Sequence, residues 1–223
     1  MDTSYRKRAG LIASLGLAIP VATTITYMMT LGGPQRAGYG PGYEGFAAYL
    51  TERWSDIVTV WTVESVGFVL CAIAALGLAA SQTKGRAAWN AIALGSLGGF
   101  VSTAMGISLF KGFGTAGEDH AQLAFTVVNS SFFFFFAGKA LTGAGVAGLA
   151  VDLFKDGNPL SKLFALIAGL AGVAALAVNI AAAATGTALV MPGGLVGTVA
   201  TALGVPVAFL VTRSAATSGE EAT

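Results

Sequence analysis

Six apolar stretches, each about as long as a hydrocarbon core is thick, divide this 223-residue chain, and a lipid bilayer is the solvent that such a pattern demands. A helix rises ~1.5 Å per residue, so about 20 apolar residues cover the ~30 Å of a bilayer interior. The expected architecture is an all-α integral membrane protein, a six-transmembrane-helix bundle. Composition agrees: 55% of residues are hydrophobic and 10% charged, with a mean hydropathy of +0.74. A soluble domain carries ~25% charged residues, enough to clothe its surface in water, and this chain does not. Twelve basic and eleven acidic residues nearly cancel, so nothing points to nucleic acid.

Arg6, Lys7 and Arg8 precede an apolar run and have the look of a signal-peptide start. A cleavable signal has an apolar region of only ~7–15 residues. The run from Ala9 to Leu31 is longer, and it reads as a retained first helix with a possible kink at Pro20. Further helices are expected from about Asp56 to Ala80, Ala88 to Phe110, His120 onward, Asn158-Pro159 to Thr185-Gly186, and Ala188 to Val211. The fourth can continue as far as Phe154, too long for one crossing, so a bend or an interfacial tail is expected near Gly143 and Gly145. The domain plan is a basic N-terminal segment at 1–8, one transmembrane domain at 9–211 and a flexible tail at 212–223.

Basic residues set the expected orientation. With the N-terminus inside, Arg6, Lys7, Arg8, Lys84, Arg86, Lys155, Lys162 and Arg213 are cytoplasmic, against Arg36, Arg53 and Lys111 outside. That asymmetry is the positive-inside rule, and it puts both termini in the cytoplasm of a cell whose plasma (inner) membrane holds the chain. The first outer loop is long. Within it, residues 43–54 place Tyr43, Phe46, Ala47, Leu50 and Trp54 at helical spacing, opposite Glu44, Thr51 and Glu52. They are expected to form a short amphipathic interfacial helix between helices 1 and 2.

Several chemistries lack their residues. Haem held by paired histidines fails because His120 is the sole histidine, and Cys71 alone forms no disulfide. No zinc-ligand spacing occurs, and no helix interior holds a serine with a histidine partner. The glycines at Gly112, Gly114 and Gly117 run into Glu118 and Asp119, whose charge repels phosphate. No enzyme activity and no cofactor is expected. An apolar pigment or quinone against the Phe132–Phe136 block is the one such contact left open, beside packing and lipid.

Polar residues inside the apolar stretches mark the place to look. Glu64 comes first, because an intramembrane acid is costly and needs a partner or a role. Depth along the helices suggests Asn129, Ser130, Ser131, Ser102 and Thr103 beside it, with Thr23, Thr24 and Thr26 on the first helix and Asn179 on the fifth. The candidate ligand- or ion-binding set is thus Glu64, Asn129, Ser130, Ser102, Thr103 and Asn179. Ordinary interhelical hydrogen bonding, at about 0.6 kcal/mol per contact, competes with that reading. Lys139 is expected to snorkel to the cytoplasmic headgroups and not to pair with Glu64.

Small residues suggest tight helix contacts. Gly95 and Gly99, and Gly193 and Gly197, are GxxxG pairs, and further glycines line the fourth and fifth helices. Two functions follow. One is a non-enzymatic structural, accessory or ligand-sensing subunit of a membrane assembly, docking other subunits or a second copy through small-residue faces. The alternative is a small proton- or cation-coupled transporter or permease with its site around Glu64.

Overall fold

A computed structural model describes residues 3–81, 84–185 and 189–220 of the chain, with side chains from residue 4 to residue 213. Every regular element among them is helical. The long helices are α1 (Thr3–Thr30), α2 (Gly42–Ser81), α3 (Arg86–Gly114), α4 (Ala121–Asp156), α5 (Pro159–Thr185) and α6 (Val190–Glu220). All six are long and apolar enough to cross a membrane. An even number of crossings returns the chain to the face it started from.

Two elements differ from the sequence expectation. Residues 43–54 form no separate interfacial helix: they are the first turns of the 40-residue α2, which runs unbroken from Gly42. Nothing helix-breaking stands between Tyr43 and Ser81, so the amphipathic segment simply propagates into the apolar one. α4 also runs without interruption past Gly143 and Gly145, for 36 residues. Those glycines serve packing: a Cβ on Gly143 would stand 2.7 Å from the Gly172 carbonyl oxygen of α5, and one on Gly145 2.7 Å from that of Ala88 on α3. The C-terminal segment is helical through Glu220, and Thr212 is buried. The expected helix ends at Gly186 and Ala188, Met1 and Asp2 of the basic segment, and 221–223 of the tail lie outside the described residues.

Sequential helices pack against one another, α6 returns to α1, and α4 touches α3, α5 and α6, so the bundle closes around α4. Two apolar cores lie at opposite ends. One, rich in alanine, takes Ala13 and Leu17 from α1, Leu78 from α2, Trp89 and Ile92 from α3 and Val146 and Leu149 from α4. The other is aromatic, with Leu31, Phe46, Tyr49, Leu50, Ile57 and Phe110, flanked by Tyr27 and Trp61. Between the two, along every one of α1 to α4, comes the stretch that carries the buried polar side chains. That interval is where a site can exist.

Candidate functional site: a buried acid and a buried base

Glu64 lies near the middle of the 40-residue α2, and Lys139 lies at the middle of the 36-residue α4. Mid-helix positions on elements of this length are the farthest from either polar surface. Both side chains are buried, with relative exposures of 6% and 5%. The two interact electrostatically across the interior, without closing a direct ion pair. Lys139 therefore does not snorkel. The expectation that it would came from placing it near the end of a span that the continuous α4 in fact carries much further.

Glu64 has one hydrogen-bond donor: Thr24 Oγ1 donates to its Oε1 at 3.2 Å, from α1. Lys139 has no hydrogen-bond partner among the described residues, and its ammonium stands 5.5 Å from the centre of the Phe135 ring, one turn earlier on α4. Its stem runs along α6 at Gly197, where a Cβ would lie 2.9 Å from Lys139 Cδ and 3.0 Å from its Cβ and Cγ. Only a glycine leaves that passage open. A narrow crevice reaches the lysine between α1, α3, α4 and α6, lined among others by Gly16, Gly95, Ser96, Gly99 and Thr201. Its free volume of about 10 Å³ is at the threshold for a single water molecule. A crevice of that size hosts water or a proton, not an organic solute.

The glycines that shape this interior also bring backbones together. A Cβ on Gly138 would meet the Gly95 carbonyl oxygen at 2.7 Å and the Gly99 nitrogen at 2.9 Å, and one on Gly16 would meet the Cys71 nitrogen at 2.5 Å. Pro20 is buried, packed against Gly67 of α2. Just beyond it, the Thr23 hydroxyl donates back into α1, 3.0 Å from the Ile19 carbonyl oxygen and 3.2 Å from that of Pro20.

The other candidates do not gather around Glu64: Ser102 and Thr103 pair with hydroxyls of neighbouring helices, and Asn129, Ser130 and Asn179 do not. Ser102 and Ser131 join α3 to α4, hydroxyl to hydroxyl at 3.1 Å, with Ser131 also donating to the Ser102 carbonyl at 3.0 Å. Thr103 shares a 2.7 Å hydroxyl contact with Ser65 of α2. Ser130 donates to Thr126 on its own helix, and Asn129 is exposed on the outside of the bundle. Asn179 is fully buried between α5 and α6; its Nδ2 donates to the Ala175 carbonyl at 2.9 Å. Its Oδ1 has no hydrogen bond and looks onto Gly193, where a Cβ would stand 3.1 Å away. These contacts are the ordinary polar glue of membrane helices.

Sequence reasoning singled out Glu64 and set Lys139 aside. The available signal was length: without a break at Gly143, the fourth apolar segment puts Lys139 at its centre. Aromatic neighbours of Glu64 were also missed. Tyr27 of α1 stacks on Trp61, one turn before Glu64, with ring centres 6.1 Å apart, and it feels the charge of Glu64. No group of three or more His, Cys, Asp or Glu side chains suited to a metal lies among the described residues. Comparison of the chain with protein-family models, characterised proteins and solved structures finds no match.

Proposed function

We propose that this protein is a small proton-coupled membrane transporter whose protonation centre is the pair Glu64 and Lys139. The observation that supports it is the burial of a lysine with no hydrogen-bond partner, opposite a buried carboxyl, beside a crevice of one water's size. A purely structural pair would be expected to close a direct contact, because desolvating two charges is repaid only by good geometry. An acid and a base held apart can instead exchange protons with a bound water, and intramembrane ionisable residues mark proton routes in pumps and transporters. Opening the crevice to a solute requires the helices to move, as alternating access does.

The accessory-subunit reading drew on small-residue faces. Gly95, Gly99, Gly138, Gly143, Gly172 and Gly197 are all occupied by neighbouring helices of this same chain, which lends that reading less support than the buried pair lends the transporter. The bias of basic residues further favours a plasma (inner) membrane location with both termini in the cytoplasm.

Reconstitution in liposomes with a trapped pH-sensitive dye tests the transporter reading. A potassium diffusion potential should drive proton entry in the wild type, and Glu64→Gln should abolish it while keeping the Thr24 hydrogen bond. Wild-type vesicles no more conductive than empty ones, or an unimpaired Glu64→Gln, would sink the proposal.

A further inference from the structure

Between Glu64 and the loop at 31–41 lies a sequence of hydroxyl groups that ordinary packing does not require. Thr24 Oγ1 contacts the carboxyl at 3.2 Å. One helical turn further along α1, Tyr27 directs its hydroxyl to that of Tyr49 on α2, oxygen to oxygen at 3.1 Å. Tyr49 is buried, with an exposure of 2%, inside an otherwise apolar aromatic core. Its ring meets the edge of Tyr39, from the loop, at 5.5 Å between centres, and Tyr39 donates to the exposed Glu52 at 2.8 Å. Phenylalanine at both inner positions would fill the same space without burying a hydroxyl pair, and it would lose the hydrogen bond between the Tyr49 hydroxyl and the Gly33 backbone of the loop.

We propose that Tyr27 and Tyr49 relay protons between Glu64 and the membrane face that carries the loop at 31–41. This rests on the protonation-centre reading above and adds the side from which the centre is reached. The relay requires one water between Glu64 and Tyr27, which no hydrogen bond among the described residues joins directly. As the carboxyl releases its proton to that water, the water passes one to the Tyr27 oxygen and the Tyr27 hydroxyl proton moves to Tyr49. Tyr49 releases its own proton toward the loop, and rotation of the two hydroxyls resets the chain. No phenol is left charged. The charged and titratable groups near this path, among the described residues, are Lys139 on α4, which lies beyond Glu64, Arg53 and Asp56 on α2 near Tyr49, and Glu52 with Tyr39 and Arg36 at the loop. Arg53 and Asp56 satisfy each other in an ion pair at 3.1 Å, which leaves neither to trap a proton.

The test is the rate at which the Glu64 carboxyl takes up deuterium. The full-length protein in lipid nanodiscs is moved into D₂O and followed by infrared spectroscopy, with the Glu64 band assigned by its loss in Glu64→Gln. Tyr27→Phe and Tyr49→Phe each keep the ring and its aromatic contacts. Each should slow exchange by ~10²-fold, the lower end of what a positioned proton-transfer group contributes. The proton flux in liposomes should fall with it, while the melting temperature stays near the wild-type value. Exchange at the wild-type rate in both variants, with Glu64-dependent proton flux intact, overturns the relay and leaves the transporter standing. Absence of Glu64-dependent flux in the wild type brings down both.

Discussion

At the scale of single residues, Lys139 stands out as a lysine buried at mid-helix with no hydrogen bond among the described residues. An ammonium without a hydrogen bond in an apolar interior is destabilising, and the Phe135 ring offsets only part of that through its quadrupole. Its four-carbon stem, by contrast, fits: Gly197 opens the passage it occupies. Lys139→Met keeps the stem and removes the charge. The expected outcome is a protein as stable as the wild type or up to ~2 kcal/mol more stable in SDS titration, and devoid of proton flux. A loss of stability on that substitution would instead make the lysine structural. Glu64 differs, because Thr24 already answers one of its oxygens.

At the scale of the helices, contact in lipid rests on how closely backbones approach. Apolar side chains gain little by leaving lipid for protein, so dispersion and small residues decide the packing. The crossing of α3 and α4 depends on Gly95 and Gly138, where an added Cβ runs into backbone atoms of the facing helix that cannot rotate away. Gly138→Ala should therefore cost about 1–3 kcal/mol by forcing the two helices apart, as overpacking does elsewhere. Gly112→Ala, with open space around its notional Cβ, should leave the same SDS midpoint unchanged or slightly raised. Equal effects at both positions would mean that helix propensity, not the crossing, governs stability. The continuity of α2 and α4 has a similar origin: neither segment contains a proline, and hydrogen bonds propagate through glycine when packing holds it. Reading a bend at Gly143 held the helix to the thickness of a bilayer, whereas α4 runs unbroken for 36 residues.

For the whole molecule, six crossings put the loop at 31–41 and the turn around Thr115 on one face, and the turn at Asn158 on the other. Cysteines introduced at Gln35 and Thr115 should react together with a membrane-impermeant maleimide added to intact cells, and one at Asn158 only after lysis. The wild type supplies a silent background, since its one cysteine, Cys71, is fully buried. A labelling pattern that separates Gln35 from Thr115 would break the six-span topology. The six apolar helices, and Glu64 as the acid within one of them, follow from the sequence alone, because apolar length and an isolated charge are one-dimensional signals. Whether two helices meet is a question of rotation about their axes. In water, polarity answers it by marking the outer face, but in lipid the outside is as apolar as the inside and that mark is missing. The tertiary structure alone therefore decided that Lys139 turns inward to Glu64 while Asn129 turns out, and that Tyr27 finds Tyr49.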